Sequence, residues 1–221
     1  MRSFAELLGT PFVGEVNALC WGRTLPGDFG EIVNQLPRHT GILPLDEDSL
    51  RTLPLSRDGA AARAWMLEDL RRLQDHGLLP ELNCIQSYPA DTEPVVVAVD
   101  VYSFHADRAP VPADTWLCTY HGASSEGVAN DEVERRVDLP ATREALLAAY
   151  GGRDGEGFRE FLSENSYDLH YALRPNARPF SFGIGNLWRV AVDYPGSPVL
   201  PCIHRAPVAN PGDPPRLLLI S

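Results

Sequence analysis

Three potential metal ligands stand out in the second half of the chain. His105 and Asp107 are separated by a single residue at the end of an apolar run, and His204 lies far downstream. Two imidazoles and one carboxylate fill three of the six positions around an octahedral ion, so a co-substrate and dioxygen can bind at the other three. These residue types predict an iron(II) centre with open coordination positions, and therefore an enzyme.

Two predicted strands position these ligands. The segment from Glu93 to His105 is rich in β-branched residues and predicts a strand buried on both faces. Alternate residues of a strand share a face, so Val101, Ser103, His105 and Asp107 should point the same way. Ser197 to His204 is a second short apolar run that ends in a histidine. The ends of these two strands are expected to meet at one metal ion.

Arg216 opens the last apolar segment of the chain, residues 216–221. A strand paired antiparallel to the one that carries His204 would bring this guanidinium back toward the metal. The planar fork of an arginine binds a carboxylate through two parallel hydrogen bonds. We therefore predict that Arg216 holds an acidic co-substrate, with Arg205, the residue next to His204, as the alternative.

Together these motifs resemble a known superfamily. The order H-x-D, a long gap, H-R-x-P and an arginine before a terminal hydrophobic strand is similar to that of the iron(II)/2-oxoglutarate-dependent oxygenases, whose fold is a double-stranded β-helix. The segments Cys118-Thr-Tyr-His-Gly122, His204-Arg-Ala-Pro207 and Arg216-Leu-Leu-Leu219 also resemble a bacterial family of unknown function with the same layout. The resemblance covers residues 95–221.

The resemblance implies a role for each of these residues. His105, Asp107 and His204 would bind iron(II), and Arg216 would hold the distal carboxylate of 2-oxoglutarate. Hydroxyl-bearing residues of the strand after the H-x-D motif often help to hold this co-substrate, which makes Thr119 and Tyr120 candidates. Aspartate at position 107 is typical of hydroxylases and desaturases, whereas halogenating relatives have glycine there. The expected substrates are dioxygen and a small polar metabolite, such as an amino acid or its derivative.

Other interpretations of the same residues stay open. Cys118, His121, Cys202 and His204 would make a Cys₂His₂ zinc site, although Cys118 and His121 should face opposite sides of a strand. His170 is a spare potential ligand. The chain could also be a cupin-type oxygenase that does not use 2-oxoglutarate, or a non-catalytic metal-binding or regulatory protein on a cupin-like barrel.

The element pattern predicts an α+β protein, and with the resemblance a double-stranded β-helix (a jelly-roll or cupin-like barrel) in one domain over residues 1–221. Residues 1–90 should form an α/β support with a long helix from Arg57 to His76, and residues 91–221 the β-helix core with a strand at Thr115–Tyr120. Helical segments at 130–136, 140–150 and 157–165 predict an insertion at about 130–178 that covers the open end of the barrel.

Composition narrows the functional classes. A formal net charge of −11 disfavours nucleic acid as a partner, because phosphate binding needs clustered Lys or Arg. All 19 basic residues are arginine, which excludes Schiff-base chemistry on a lysine. Four widely spaced cysteines and no secretory leader predict reduced thiols in a cytoplasmic protein. No apolar run is long enough for a membrane span, and the oligomeric state stays open.

Overall fold

The computed structural model describes residues 1–89, 95–208, 210 and 212–221. In these ranges six α-helices and eleven strands follow each other along the chain, with three 3₁₀ turns among them. They are α1 (Phe4–Gly9), β1 (Ala18–Trp21), α2 (Phe29–Gln35), β2 (Ile42–Leu45), α3 (Glu47–Thr52), α4 (Arg57–Gln74), β3 (Glu81–Ile85), β4 (Asp114–His121), β5 (Glu126–Val128), β6 (Val133–Arg135), α5 (Pro140–Tyr150), α6 (Glu156–Glu164), β7 (Tyr171–Leu173), β8 (Phe180–Ser181), β9 (Leu187–Ala191), β10 (Ile203–Arg205) and β11 (Arg216–Ile220).

The largest sheet has six antiparallel strands in the order β1-β9-β4-β11-β3-β2. The C-terminal strand β11 thus lies in the middle of the sheet, between β4 and β3. A three-stranded antiparallel sheet has the order β10-β5-β8, and β6 pairs with β7. The predicted α+β class is confirmed. No closed barrel of strands is found in the described ranges.

The N-terminal helices cover one face of the large sheet, which we call the helix face. The longest helix, α4, begins after Ser56, whose hydroxyl accepts a hydrogen bond from the Gly59 amide. Its buried side is formed by small and aliphatic side chains, among them Ala62, Met66, Leu70 and Leu73. They pack on alternate residues of the sheet, including Trp116, Cys118, Tyr120, Leu217 and Leu219. The helix predicted from Arg57 to His76 is therefore confirmed within two residues.

The opposite face of the large sheet, which we call the cavity face, looks toward the small sheet. Leu117 and Leu218 pack there against Phe182, which follows β8, and Cys202, which precedes β10. These apolar side chains lie between the two sheets, so a binding site in the same space is shielded from solvent. The predicted functional residues lie in or next to this space.

The strand predicted from Glu93 to His105 is wrong over its described part. Residues 93 and 94 lie outside the described residues, and residues 95–104 form bends and turns. Val95, Val96 and Val99 are exposed, whereas Val97 is buried against α5 and α6. β-Branched residues favour a strand only where a neighbouring strand and a packing surface are available. Here extended pairing begins at His105.

The insertion after β5 is less helical than predicted. α5 and α6 confirm the helices expected at 140–150 and 157–165. Residues 130–136, predicted as helix, instead form a 3₁₀ turn, strand β6 and the start of a second 3₁₀ turn. Strand β6 pairs with β7 at the far end of the insertion. The insertion is therefore a mixed helix and strand unit.

Among the described residues, no helix combines the length and the apolar composition that a membrane crossing requires. All four cysteines, Cys20, Cys84, Cys118 and Cys202, are free thiols.

Candidate metal centre

A short extended segment around His105 lies between two other extended segments, one that contains His204 and one that contains His170. On one side, His105 and His204 exchange both backbone hydrogen bonds, each 2.9 Å long. On the other side, the Ala106 amide donates to the Leu169 carbonyl at 3.0 Å, and the Tyr171 amide donates to the Phe104 carbonyl at 2.8 Å. Pairing on both sides fixes the backbone from which the His105 and Asp107 side chains project.

His105, Asp107 and His204 form the only group of three metal-ligating side chains found in the described part of the chain. Nε2 of His105 lies 3.8 Å from Oδ1 of Asp107, and Nε2 of His204 lies 3.7 Å from Oδ2. One ligand atom from each of the three residues lies within 4.8 Å of the ligand atoms of the other two. Imidazole and carboxylate ligands stand about 2.0–2.2 Å from a bound transition metal, so two such ligands are at most about 4.4 Å apart. The two distances to the carboxylate fit a single ion between these residues.

Hydrogen bonds orient all three side chains. Nδ1 of His105 donates to the Ser103 carbonyl at 2.8 Å, and Nδ1 of His204 lies 3.3 Å from the Cys202 carbonyl. A carbonyl only accepts, so these contacts place the ring hydrogen on Nδ1 and leave Nε2 with a lone pair toward Asp107. The Thr115 hydroxyl donates to Oδ2 of Asp107 at 2.5 Å. The three groups are thus held in the orientation that ligation requires.

The protonation states also suit a metal. Burial, and then the neighbouring charge of His204, lower the pKa of His105 from its ordinary value. Burial acts to raise the pKa of Asp107, but the charge of His204 and the hydrogen bond from Thr115 outweigh it, so this pKa is lowered. A neutral imidazole and an ionised carboxylate are the forms that bind a cation.

The three residues line a cavity of about 120 Å³ between the two sheets. Its other walls come from Tyr88, Val101, Leu117, Ser125, Ala206, Arg216, Leu218 and Ile220. Because a water molecule occupies about 30 Å³ in the liquid, the space is large enough for a small organic acid. Five of the eleven lining residues are aliphatic. The polar groups are the three potential metal ligands, Arg216, and the hydroxyls of Tyr88 and Ser125.

Arg216 is buried in this cavity with only 5% of its surface exposed. Its Nη2 donates to the hydroxyls of Thr119 at 2.8 Å and Ser125 at 2.7 Å, and its Nη1 donates to the Tyr88 hydroxyl at 3.2 Å. No carboxylate among the described residues pairs with it. Burial lowers the pKa of Arg216 from its ordinary value, yet an arginine in a protein keeps its charge. A buried cation whose partners are neutral hydroxyls is a site for an anion.

Arg216 reaches the cavity by a different route from the predicted one. We expected β11 to pair with the strand of His204, but β11 lies in the large sheet between β4 and β3, whereas β10 pairs with β5 in the small sheet. Gly122 has a positive φ of 79°, and a Cβ there would stand 3.0 Å from the Arg216 Cα. This glycine lets the chain after β4 pass close to the start of β11.

The two predicted co-substrate residues of β4 lie on opposite faces of the sheet. Thr119 contacts Arg216 on the cavity face. Tyr120 is buried on the helix face, where its hydroxyl donates to Asp69 at 2.9 Å, so the structure separates it from the cavity. The register between β4 and β11 shifts next to Tyr120, and His121 lies beside Gly30 of α2. Regular alternation along the strand predicts that His121 lies on the same face as Thr119. Because of the register shift, His121 instead lies on the helix face.

The alternative sites are not assembled. Cys118 and His121 lie toward the helices, whereas Cys202 and His204 lie toward the small sheet, so the four do not form a zinc site. Arg205 forms an ion pair with Glu126 and lies over the Phe104 ring, which leaves Arg216 as the arginine of the cavity. His170 is outside the group of clustered ligand atoms.

Several contributing residues were missed by the sequence analysis. Thr115, which orients Asp107, shares its strand face with Leu117 and Thr119, so alternation could have found it. Tyr88 and Ser125 lie outside the strands and reach Arg216 only through tertiary contacts. No local sequence signal marks them.

A larger and more open cleft of about 480 Å³ adjoins the next residues of the chain. It is lined by Arg108, Ala109, Pro110, Asp193, Tyr194 and Pro195. The backbone connects it to the metal centre, because the Asp193 amide donates to the Asp107 carbonyl at 2.8 Å. Arg108 is held by Asp168 and Asp193, each at 2.7 Å.

We compared the chain with models of protein families, with curated proteins and with solved structures, and none of the three comparisons found a match.

Proposed function

We propose that this protein is a non-haem iron(II)/2-oxoglutarate-dependent oxygenase that hydroxylates or desaturates a small polar metabolite. The observation that carries the proposal is the buried guanidinium of Arg216, which lies in the same small cavity as the three potential metal ligands. Among the described residues, its side-chain hydrogen-bond partners are all hydroxyls. A metal site alone would suit many functions. A metal site next to an unneutralised buried cation suits an acid that binds both.

His105, Asp107 and His204 would hold the iron, and the donor set fits it because two imidazoles and one carboxylate leave coordination positions open. When bound, iron(II) with 2-oxoglutarate supplies the oxidation of an unactivated C–H bond by dioxygen. The chain contributes orientation. Backbone carbonyls fix both imidazoles, and Thr115 fixes the carboxylate.

Arg216 would bind the distal carboxylate of 2-oxoglutarate, with Thr119, Ser125 and Tyr88 as further hydrogen-bonding groups. Their hydroxyls already lie 2.7–3.2 Å from the guanidinium, so the donors need little rearrangement when an anion arrives. The aliphatic walls at Leu117 and Leu218 exclude water around the bound acid. This binding mode favours a 2-oxoglutarate-dependent oxygenase over a cupin-type oxygenase or a non-catalytic metal-binding protein, because those two alternatives give the buried charge of Arg216 no role.

We also propose that the fold of this protein is a double-stranded β-helix. Support comes from two facing antiparallel sheets with the candidate site between them and with helices on the outer face of the larger sheet. We infer that the primary substrate binds in the cleft beside Arg108, which is next in the chain to Asp107. Its polar side chains, Arg108 and Asp193, and the Tyr194 ring suit a small polar metabolite.

Anaerobic titration tests the proposal. Iron(II) and then 2-oxoglutarate are added to the apoprotein, and the weak visible charge-transfer band of the iron chelate is recorded. Succinate release is then measured in air. We expect the band and succinate formation from the wild type, neither from Asp107→Ala, and a band from Arg216→Met only at much higher 2-oxoglutarate concentration.

The negative results are equally specific. Tight metal binding without the band or succinate would leave the non-catalytic metal-binding alternative. Equal succinate release by the wild type and Asp107→Ala would contradict the assignment of the ligands.

A further inference from the structure

We propose that His170, in the insertion, is a positioning residue that holds the metal ligand His105 in place through Ser103. This inference rests on the proposed metal centre and adds to it a function for the insertion. It concerns the part of the chain between β5 and β8, which the resemblance treats only as a cover for the open end of the barrel.

Ser103 connects the two histidines. Its carbonyl accepts the hydrogen bond from Nδ1 of His105 at 2.8 Å, and its hydroxyl lies 2.8 Å from Nδ1 of His170. One residue thus orients the ligand with its backbone and is itself contacted by the second imidazole through its side chain. His170 is buried, with 4% of its surface exposed, so water competes little for this contact.

The hydrogen-bond pattern assigns the direction of that contact. The Ser103 hydroxyl also lies 2.9 Å from the Asp100 carbonyl and 3.2 Å from the Ala98 carbonyl. Carbonyls only accept, so the single hydroxyl hydrogen is directed to them and the oxygen accepts from His170. His170 is therefore the donor, through its Nδ1–H, and it fixes the hydroxyl from the side that the two carbonyls leave open.

Backbone pairing gives His170 a fixed position next to His105. His105 forms bridges to both His170 and His204, so the three histidines lie side by side on three neighbouring extended segments. The ring centroids of His105 and His170 are 5.7 Å apart. The His170 carbonyl accepts from the Arg136 amide at 2.8 Å, which ties the same residue to the rest of the insertion.

Loss of a hydrogen-bonding partner behind a metal ligand typically weakens metal affinity by about 10- to 100-fold. We expect His170→Leu, which fills the volume without a donor, to weaken metal binding by a factor in this range. His170→Asn should restore most of the affinity, because its amide N–H can donate from nearly the same place as Nδ1. A role in packing alone would give the reverse order, since leucine replaces more of the ring volume than asparagine.

The test uses cobalt(II) as the probe, in the full-length apoprotein and without 2-oxoglutarate. Dissociation constants come from the visible bands of bound cobalt, whose positions also report a change in ligand geometry. Circular dichroism of each metal-free variant checks that it is folded. His76→Leu is the matched control, because it removes an exposed histidine at the end of the helix layer; its cobalt affinity should equal that of the wild type.

Ser103→Ala provides a second, smaller change that keeps the carbonyl but removes the hydroxyl. It should also weaken cobalt binding, and the double variant with His170→Leu should be no weaker than the weaker single variant, because both remove the same contact. Wild-type affinity in His170→Leu or Ser103→Ala, or no rescue by His170→Asn, would overturn this inference while leaving the proposed oxygenase intact. No cobalt binding by the wild type would overturn both.

Discussion

Two buried arginines lie on opposite faces of the same sheet, and they have opposite surroundings. On the helix face, Arg23 makes two 2.8 Å hydrogen bonds to Asp69, which also accepts from Tyr120 and Arg72 and is completely buried. On the cavity face, Arg216 contacts the hydroxyls of Thr119, Ser125 and Tyr88. One guanidinium is neutralised within the protein and the other, as far as the described residues go, is not.

The difference shows what each arginine is for. A buried charge is costly unless it is paired, so the Arg23–Asp69 pair is a structural solution to packing a cation between α4 and the sheet. The same cost at Arg216 is not offset by any described carboxylate. A ligand that brings its own negative charge would offset it, which is the basis for separating a structural arginine from a binding one in this molecule.

The largest expected effect is on the helix face. Asp69→Asn keeps the size of the side chain but leaves Arg23 without its counter-ion, so we expect the free energy of unfolding to fall by about 3–5 kcal/mol. Urea denaturation followed by circular dichroism measures it. Asp154→Asn is the control, because the side chains of its pair with Arg143 are 35% and 45% exposed, and such a surface pair should contribute at most about 1 kcal/mol. Equal small losses in both variants would contradict the structural role of Asp69.

Next comes the corresponding change on the cavity face. Arg216→Met should weaken 2-oxoglutarate binding by about 2–5 kcal/mol, since the carboxylate then loses a buried charged partner. It should destabilise the fold much less than Asp69→Asn does, because removing an unpaired buried charge also removes its desolvation cost. Calorimetry measures the affinity, and urea denaturation measures the stability. Arg205→Met, which breaks the pair with Glu126 outside the cavity, should bind 2-oxoglutarate like the wild type.

The anion itself should stabilise the metal-free protein through Arg216. At a concentration one hundred times its dissociation constant, 2-oxoglutarate is expected to raise the free energy of unfolding by about 2.7 kcal/mol. The increase should disappear in Arg216→Met and persist, at least in part, in Asp107→Ala. Thermal unfolding scans with and without the acid measure this effect. A stabilisation that is the same in the wild type and Arg216→Met would place the anion elsewhere.

The smallest expected effect is the pH dependence of the metal-free protein. The pKa of His105 is lowered from 6.5 by burial, so below pH 6.5 the unfolded chain binds more protons at this residue than the folded one. The free energy of unfolding should therefore fall as the pH drops through this range. On the helix face, burial raises the pKa of Cys118 to about 12, so this thiol adds nothing near neutral pH. His105→Asn should make the dependence shallower, as measured by urea denaturation at several pH values.

Elements with their own local signals were predictable. The N-cap serine and apolar spacing of α4, the proline at the start of α5 and the apolar run of β4 lie within the sequence of each element. The valine-rich run before His105 misled the prediction, because propensity does not show whether a partner strand is available, and its described residues, 95–104, form no strand. No signal in the sequence marked the register shift between β4 and β11 beside Tyr120. That shift places His121 on the helix face rather than on the cavity face.

For the candidate site, the sequence by itself determined the chemical types: two histidines, one aspartate and an arginine, in an order that resembles an oxygenase. Their convergence was decided by tertiary structure, because His105 and His204 meet through backbone pairing while Arg216 arrives from the other sheet. Only the folded chain revealed that Arg216 has hydroxyls for neighbours and that His170 stands behind Ser103. Such contacts join residues up to 128 positions apart, and local patterns carry no information about partners at that distance.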